Sequence, residues 1–272
     1  MLKRVERALQ HWRTDAYLLS FPKCGRTWLR VMLAHAFEQH FGIRIPDSIR
    51  IHAHGSRLRG IPRVRVTHDW KDRQTMTVDQ DKQRFREKAV VFMIRDPRDV
   101  VVSQYFHRLK RKRNYTGTLE EFVRAERGSL ADIVTYYNVW ARERHHRDRL
   151  HVLRYEDLRA DPVAGLGAVL EFLGLPDVKT EVVEQAVAAC DFDRMQQMER
   201  RGEFVSGRLQ AKDVSDPQSY KARSGEVGGY RHHFSAELSA YVDEYLRTHL
   251  DGSYADYCAP RVDSGAAGSP RP

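Results

Sequence analysis

The sequence predicts a three-layer α/β domain with a mostly parallel central sheet. Short apolar runs have the length of strands, and several are followed by a polar turn and then by apolar residues at helical spacing. This alternation is typical of βαβ units, in which helices cover both faces of a parallel sheet. The chain has 272 residues, of which 41% are hydrophobic, which is enough to bury one sizeable core. We expect a single domain over residues 1–258 and, because residues 259–272 are rich in Ser, Gly, Ala and Pro, a disordered tail.

The first strand–loop–helix unit occupies residues 17–37. The short apolar run at 17–20 predicts a strand, and apolar residues that recur at i, i+3 and i+4 between Trp28 and Phe37 predict a helix. The first backbone N–H groups of a helix have no intrahelical acceptor and lie at the positive end of the helix dipole. The loop before this helix is therefore predicted to bind a phosphate or sulfate group.

The later elements follow the same alternation. Residues 61–68 alternate between apolar and polar side chains, which is the period of a strand, and the continuous apolar run 90–94 predicts a strand buried on both faces. Residues 151–155 predict a further strand. Residues 199–229 are too long for an ordinary connection and predict a functional or mobile segment. Helices are predicted after the capping residues Thr118, Ser129, Asp161 and Ser235, and over about 2–12, 100–109 and 180–190.

The charge and cysteine content limit the classes of function. Lys and Arg number 46 against 37 Asp and Glu, so the net charge of +9 favours an anionic partner without choosing among nucleotide, polyanion and membrane. The three cysteines are widely spaced, which predicts neither a disulfide framework nor a zinc site. We predict no signal peptide and no transmembrane segment, and hence a cytoplasmic protein. The apolar face of a helix over residues 2–12 is expected to dock on the core, with a membrane surface as the alternative.

Four segments carry a resemblance to a known family. The first segment is Phe21-Pro22-Lys23-Cys24-Gly25-Arg26-Thr27-Trp28. It is not a Walker A sequence, because its lysine precedes its only glycine. An ordinary nucleoside triphosphatase is therefore disfavoured. The segment resembles the 5′-phosphosulfate loop of sulfotransferases that use 3′-phosphoadenosine 5′-phosphosulfate (PAPS). The segments that resemble the same family, in the expected order, are Arg95 to Ser103, Tyr155-Glu156-Asp157-Leu158 and Arg223 to Ser235.

This resemblance implies a sulfotransferase with a P-loop NTPase-like fold and PAPS as co-substrate. It implies that Lys23 stabilises the leaving phosphate, that Arg95 and Ser103 hold the 3′-phosphate, and that His68, in a Thr-His pair after a strand, is the general base. No metal is expected, because this donor presents less charge at the reacting centre than a nucleoside triphosphate does.

The resemblance also implies a set of cofactor contacts. Trp28 and Phe192 fit either stacking on the adenine or ordinary core packing, and Tyr155 also fits the core. The residues expected to contact the cofactor are Lys23, Cys24, Gly25, Arg26, Thr27, Trp28, Arg95, Ser103, Tyr155, Phe192, Arg223, Ser224 and Gly225.

The chain departs from the family pattern at several positions. Val66 stands where cytosolic members often carry a second lysine just before the Thr-His pair, and Ser224 stands where a basic residue is usual. Gly229 and Tyr230 replace an Asp-Trp pair. Residues 235–240 match the usual dimerisation stretch poorly, so the sequence does not decide between a monomer and a dimer.

Two other classes of function remain open. Cys24 and Arg30 have the Cys-x₅-Arg spacing of a cysteine-dependent phosphatase, although Trp28 and Leu29 within that spacing belong to the predicted helix face. The net charge and the basic run at 108–113 also fit a non-catalytic polyanion-binding protein. Replacing Cys24 by serine separates the first alternative from a sulfotransferase, because only a phosphatase would lose all turnover.

The sequence does not identify the acceptor. We expect a hydroxyl, or less favourably an amine, on a small molecule, a saccharide or a lipid headgroup, and no nucleic-acid partner. Basic loops would suit an anionic saccharide or lipid headgroup, and aromatic loops a phenol. The segments expected to line the acceptor site near His68 are 43–60, 69–84, 105–116 and 199–222.

Overall fold

The computed structural model describes residues 9–72, 77–144 and 149–258. Its central sheet has four strands in the order β2-β1-β5-β6, and every neighbouring pair is parallel. A separate antiparallel pair, β3 and β4, follows β2 in the chain. The strands are β1 (Ala16–Ser20), β2 (Val64–Thr67), β3 (Trp70–Asp72), β4 (Thr77–Val78), β5 (Ala89–Ile94) and β6 (Leu150–Arg154).

Helices cover the sheet in two groups, which confirms the predicted three-layer α/β architecture. The first helix, α1, packs with α6 and α7, and α2 packs with α3 and α4. The helices are α1 (Arg26–Phe41), α2 (Pro97–Phe106), α3 (Leu119–Arg124), α4 (Leu130–Arg144), α5 (Tyr155–Ala160), α6 (Pro162–Phe172), α7 (Thr180–Ala189), α8 (Phe192–Arg201) and α9 (Ala236–His249).

The central strands are buried because both of their faces are covered. All six residues of β5 are buried, and β5 lies between β1 and β6, as the continuous apolar run predicts. All five residues of β1 are also buried. The polar residues that follow these strands therefore emerge from a rigid core.

All four predicted helix starts are confirmed, and at three of them the predicted residue caps the helix. Thr118 forms a capping box with Glu121, the Asp161 carboxylate accepts from the N–H of Ala164, and the Ser235 hydroxyl accepts from the N–H of Leu238. Helix α4 begins at Leu130, directly after Ser129, as predicted, but the capping hydrogen bonds differ from the prediction. The Ser129 hydroxyl donates to the carbonyl of Ala125, and the Asp132 carboxylate accepts instead from the N–H of Gly128.

The long segment after residue 190 differs from the prediction. Helix α8 was not predicted, because its sequence is mostly polar and offers only a narrow apolar face. It is capped by Asp191 and ends at Arg201, where the following Gly202, with a φ of 69°, caps it. The remaining loop is attached to α8 through Glu199, whose buried carboxylate accepts from the N–H groups of Lys221 and Ala222.

Two predicted terminal features fall largely or wholly outside the described residues. These are the N-terminal helix over 2–12, of which only residues 9–12 are described, and the tail over 259–272. Leu9 and Trp12, which we expected to dock on the core, are 51% and 63% exposed.

The parallel topology gathers four polar segments at one edge of the sheet. The carboxyl ends of β1, β2, β5 and β6 all lie at this edge, because the strands share one direction. The loop before α1 follows β1, His68 follows β2, Arg95 follows β5 and Tyr155 follows β6. The crevice outside the carboxyl ends of parallel strands is the usual binding site of such folds.

Candidate active site

The loop between β1 and α1 leaves the N-terminus of α1 open. Lys23 and Gly25 have φ values of 76° and 90°, and α1 begins after Gly25 with no side-chain cap and no acidic residue in its first turn. A side chain at position 25 would place its Cβ 2.5 Å from the ring of Tyr155, so glycine is required twice, for its φ and for this close approach. The first N–H groups of α1 are thus available to an anion.

A large cavity of about 1780 Å³ opens at this edge of the sheet. Its size exceeds the roughly 300–1,000 Å³ that holds a single small ligand, so it has room for a donor and an acceptor together. It is lined by all of the predicted site residues except Cys24, namely Lys23, Gly25, Arg26, Thr27, Trp28, His68, Arg95, Ser103, Tyr155, Phe192, Arg223, Ser224 and Gly225.

Cys24 is the predicted contact whose side chain turns away from the cavity. It is 0% exposed, and its Sγ lies 3.4 Å from the hydroxyl of Tyr137. Burial raises the pKa of this thiol to about 12. Because a phosphatase needs an exposed thiolate, the phosphatase interpretation loses its nucleophile, and only the backbone of Cys24 remains close to the anion site.

Lys23 lies in the cavity wall, and the cations Lys221, Arg111 and Arg223 act on it. Burial, followed by the charges of Lys221 and Arg111, holds the pKa of Lys23 well below its usual range. The same neighbourhood lowers the pKa of Lys221 to about 8 and, with burial as the largest cause, that of His107 to about 2. The Nδ1 of His107 is buried without a hydrogen-bond partner. A bound anion would relieve this concentration of positive charge.

His68 has a defined tautomer. Its Nδ1 lies 2.8 Å from the carbonyl oxygen of Ser20, which can only accept, so Nδ1 carries the proton. Its Nε2 then accepts from the Arg26 guanidinium at 2.6 Å, and Arg26 also donates to the carbonyl of Thr67. The ring stacks near Trp70, with centroids 6.0 Å apart. His68 therefore directs a basic nitrogen at a cation of the cavity wall.

Arg95 is held in place from several directions. Its backbone N–H donates to the Tyr137 hydroxyl at 2.9 Å, and that hydroxyl donates back to the Arg95 carbonyl at 2.8 Å. Its guanidinium donates to the carbonyl of Glu226 at 2.7 Å, lies 3.4 Å from Asp99 and sits 4.4 Å from the ring centre of Tyr155. The Nε of Arg95 is buried and has no partner.

The segment 223–235, called here the C-terminal loop, packs against the same wall. The Tyr155 hydroxyl donates to the carbonyl of Gly225 at 2.9 Å, and a Cβ at Gly225, whose φ is 63°, would lie 2.5 Å from the ring of Phe192. The Arg223 guanidinium lies over Phe106, and its buried Nε has no partner. Burial and then the charge of Arg95 lower the pKa of Arg223. The two arginines therefore converge on one region of the cavity.

Trp28 lies in the same wall as Tyr155 and Phe192. Its Nε1 donates to the carbonyl of Cys190 at 2.8 Å, and its ring meets Tyr155 edge-on with centroids 6.1 Å apart. These three aromatic side chains border the cavity beside the loop before α1.

Comparison with known proteins decides the family. Residues 13–254 match the family described as Sulfotransferase domain. The chain belongs to the sulfotransferase domain family.

Relatives and solved structures agree with this assignment. The chain is 23% identical to cytosolic sulfotransferase 17 of Arabidopsis thaliana over 88% of this chain and 75% of that protein. Its fold is similar to that of mouse sulfotransferase SULT7A1 complexed with PAP, with a TM-score of 0.63, 20% identity, and coverage of 90% of this chain and 87% of the other. Retinol dehydratase in complex with androsterone and inactive cofactor PAP gives a TM-score of 0.62 and 17% identity over 88% of this chain and 81% of the other.

Sequence reasoning about this sulfotransferase missed the acidic residues that assemble the site. The Asp99 carboxylate accepts from the N–H groups of Gly228 and Tyr230 at 2.8 and 3.0 Å, which ties the C-terminal loop to α2. The Glu156 carboxylate accepts from the N–H of Asp96 at 2.8 Å and from the Tyr257 hydroxyl. The signal for both was present as acids inside the motifs, but their partners are distant in the chain.

Two further findings concern the described residues. No group of three or more His, Cys, Asp or Glu side chains is placed to hold a metal ion within residues 9–72, 77–144 and 149–258. In the same part of the chain, none of the helices is both long and apolar enough to cross a membrane.

Proposed function

We propose that this sulfotransferase transfers a sulfuryl group from PAPS to a hydroxyl of its acceptor, with His68 as general base and Lys23 stabilising the leaving phosphate. The observation that carries the proposal is the convergence of the open N-terminus of α1, Lys23, Arg95 and His68 on one cavity. Both of the similar solved structures are complexes with PAP, which is 3′-phosphoadenosine 5′-phosphate, the product that PAPS leaves after transfer, and this supports the same nucleotide here.

The cavity wall fits such a donor. The buried Nε atoms of Arg95 and Arg223 have no protein partner, and a phosphate oxygen would satisfy them. Arg95, Arg223 and Ser103 would hold the 3′-phosphate, and the first N–H groups of α1 would hold the 5′-phosphosulfate. Trp28 and Phe192 border the cavity and would pack against the adenine. When bound, PAPS supplies the sulfuryl group and a phosphate leaving group.

Lys23 and Lys221 would meet the negative charge that grows as the bond to sulfur breaks. Burial and the charge of Arg111 lower the pKa of both lysines, and Glu199 is the acid that opposes this. A bound anion would therefore favour the charged form of each lysine. Preorganised cations of this kind stabilise developing charge without reorganisation cost.

His68 would take the proton from the acceptor hydroxyl. The hydrogen bond from Nδ1 to Ser20 fixes the tautomer and leaves Nε2 basic. The Nε2 lone pair is engaged by Arg26, so His68 accepts a proton only after Arg26 releases this hydrogen bond. Arg26 would then be free to bind the transferred group. It would supply a positive charge in place of the second lysine that Val66 replaces in this chain.

The decisive experiment measures transfer of labelled sulfuryl from PAPS to a panel of hydroxyl and amine acceptors. Lys23→Ala and His68→Ala should each lower kcat by at least about 100-fold, because each removes one charge-stabilising or proton-transfer contribution. Cys24→Ser is the matched control and should retain most of the activity. Full activity of His68→Ala would remove the assigned base, and no transfer by the wild type to any acceptor would overturn the proposal.

Three further features belong to the proposal. We propose that transfer needs no metal, so activity should persist in EDTA. We propose that residues 1–258 act as one domain. We also propose that the protein acts in the cytoplasm, as the plant relative, a cytosolic sulfotransferase, does by its name. The acceptor is proposed to be a small molecule, a saccharide or a lipid headgroup that enters beside His68.

A further inference from the structure

One part of the cavity wall carries unbalanced positive charge. Glu199 is the only acidic side chain among the described residues that line the cavity, and it is already engaged by Arg111 at 2.8 Å and by two backbone N–H groups. The arginines that line the cavity from α1, from β2 and the residues before it, and from the loop after α8 are Arg26, Arg30, Arg50, Arg63, Arg65 and Arg208.

Arg30 is the central member of this group. It is 8% exposed, lines the cavity, and its buried Nε has no hydrogen-bond partner. It forms no ion pair within 4 Å with any described residue. Burial is the largest influence on the pKa of Arg30, followed by the charges of Asp47, whose carboxylate already accepts from the N–H of Ile49, and of Arg208. Burying a guanidinium without a partner is costly unless a ligand supplies one.

The position of Arg30 places it next to the reacting centre. Arg26 and Arg30 are four residues apart on α1, so they share one face and are separated by roughly 6 Å along the helix axis. Arg26 contacts Nε2 of His68, so Arg30 lies one turn deeper on the same side. Burial and then the charges of Arg65, Arg50 and Arg30 lower the pKa of His52, which lies in the short 3₁₀ helix Ser48–Ala53 before β2.

We propose that the acceptor carries an oxyanion group, a carboxylate, phosphate or sulfate, that binds at Arg30 while its hydroxyl lies at His68. This inference rests on the proposed function and defines the substrate class of the same site. The guanidinium fork of Arg30 would bind the oxyanion through charge-assisted hydrogen bonds, with Arg208 of the loop and Arg50 beside it. The reacting hydroxyl and the oxyanion are then about one helical turn apart, roughly 6 Å.

The test compares matched pairs of ligands on the enzyme saturated with PAP, so that the donor site is filled. The probes are methyl β-glucuronide against methyl β-glucoside, and 4-hydroxyphenylacetate against 4-methylphenol. Calorimetry should show the anionic member of at least one pair binding about 10- to 100-fold more tightly than its neutral partner. The pair that responds distinguishes a saccharide from an aryl acceptor.

Variants locate the preference. Arg30→Met should abolish the difference within the pair and leave PAP affinity unchanged, whereas Arg44→Met, at an exposed arginine outside the cavity, should preserve it. Methionine of similar volume in place of a buried unpaired charge is well tolerated in proteins. Arg208→Met, at an exposed loop position, gives a second test that does not disturb the core and should weaken the preference in part.

The outcomes separate the two proposals. Equal affinities within both pairs, or a preference that survives Arg30→Met, would overturn the oxyanion site. Failure of PAP to bind would instead overturn the proposed function, and the same titrations on the free enzyme would still decide whether Arg30 holds an oxyanion.

Discussion

Helices α1 and α2 both begin at the carboxyl edge of the sheet, but only α2 has a side chain that caps its N-terminus. The N-terminus of α1 is preceded by Gly25, with no side-chain cap and no acid in the first turn. The N-terminus of α2 is closed by the protein itself, since the Asp96 carboxylate accepts from the N–H of Arg98, Pro97 takes the first position and Asp99 lies in the first turn.

This difference separates a helix terminus that is open to a ligand from one that the protein itself closes. At α1 the free N–H groups and the helix dipole remain available to an external anion. At α2 the same donors are satisfied internally, and its acids hold the C-terminal loop and Arg98 in place. A ligand at α2 would therefore meet side chains and not free backbone N–H groups. These side chains are Arg95, just before α2, and Ser103, within α2.

Closing the N-terminus of α1 should have the largest effect. Gly25→Ala should weaken PAP binding about tenfold, because a residue at φ 90° is strained and its Cβ meets Tyr155. Gly25→Asp should weaken it by a further factor of about ten, since its carboxylate competes for the same N–H groups. Calorimetric titration with PAP measures both, and equal affinities of the two variants would show that the open terminus does not bind the anion.

Opening the N-terminus of α2 should cost stability rather than affinity. Asp96→Ala removes the cap of α2 and one partner of Arg98, which is 1% exposed and also bound by Asp243. We expect the free energy of unfolding in urea to fall by about 3 kcal/mol. PAP affinity of the folded variant should change little. A large loss of affinity with unchanged stability would reverse the roles assigned to the two helices.

The pH dependence of PAP binding should report the cations that face α1. Below about pH 8 the free enzyme holds Lys221 protonated, and above this value it does not, because burial and Arg111 lower its pKa to about 8. Since a bound anion favours the charged form, binding above pH 8 requires uptake of a proton. The Kd of PAP should therefore rise with pH, by at most about tenfold per unit. In Lys221→Met this step near pH 8 should be absent, and its persistence would assign it to another group.

The capping box of α3 supplies the smallest effect and a reference far from the chemistry. Thr118→Ala removes the side-chain acceptor for the N–H of Glu121 and should lower the free energy of unfolding by about 1 kcal/mol. Sulfuryl transfer by the folded variant should equal that of the wild type. A reduced kcat would mean that α3 influences the cavity.

Much of the fold was predictable because its signals are local. The apolar run of β5, the helical spacing of α1 and the caps at Thr118, Asp161 and Ser235 each depend on neighbouring residues. Helix α8 escaped prediction because its charged sequence gains its stability from tertiary contacts, including the buried Glu199.

The candidate site likewise contains features that local sequence predicts and features that only tertiary contacts produce. The loop before α1, with its glycine and its lysine, is contiguous in the chain, so the sequence alone predicted an anion site at residues 21–28 and a histidine, His68, after a strand. Tertiary structure decided that Cys24 turns into the core, that Arg26 engages His68, and that Arg30 lies unpaired one turn further along α1. Hydrogen bonds, burial and charge neighbourhoods between segments distant in the chain arise only when the parallel strands bring their ends to one edge.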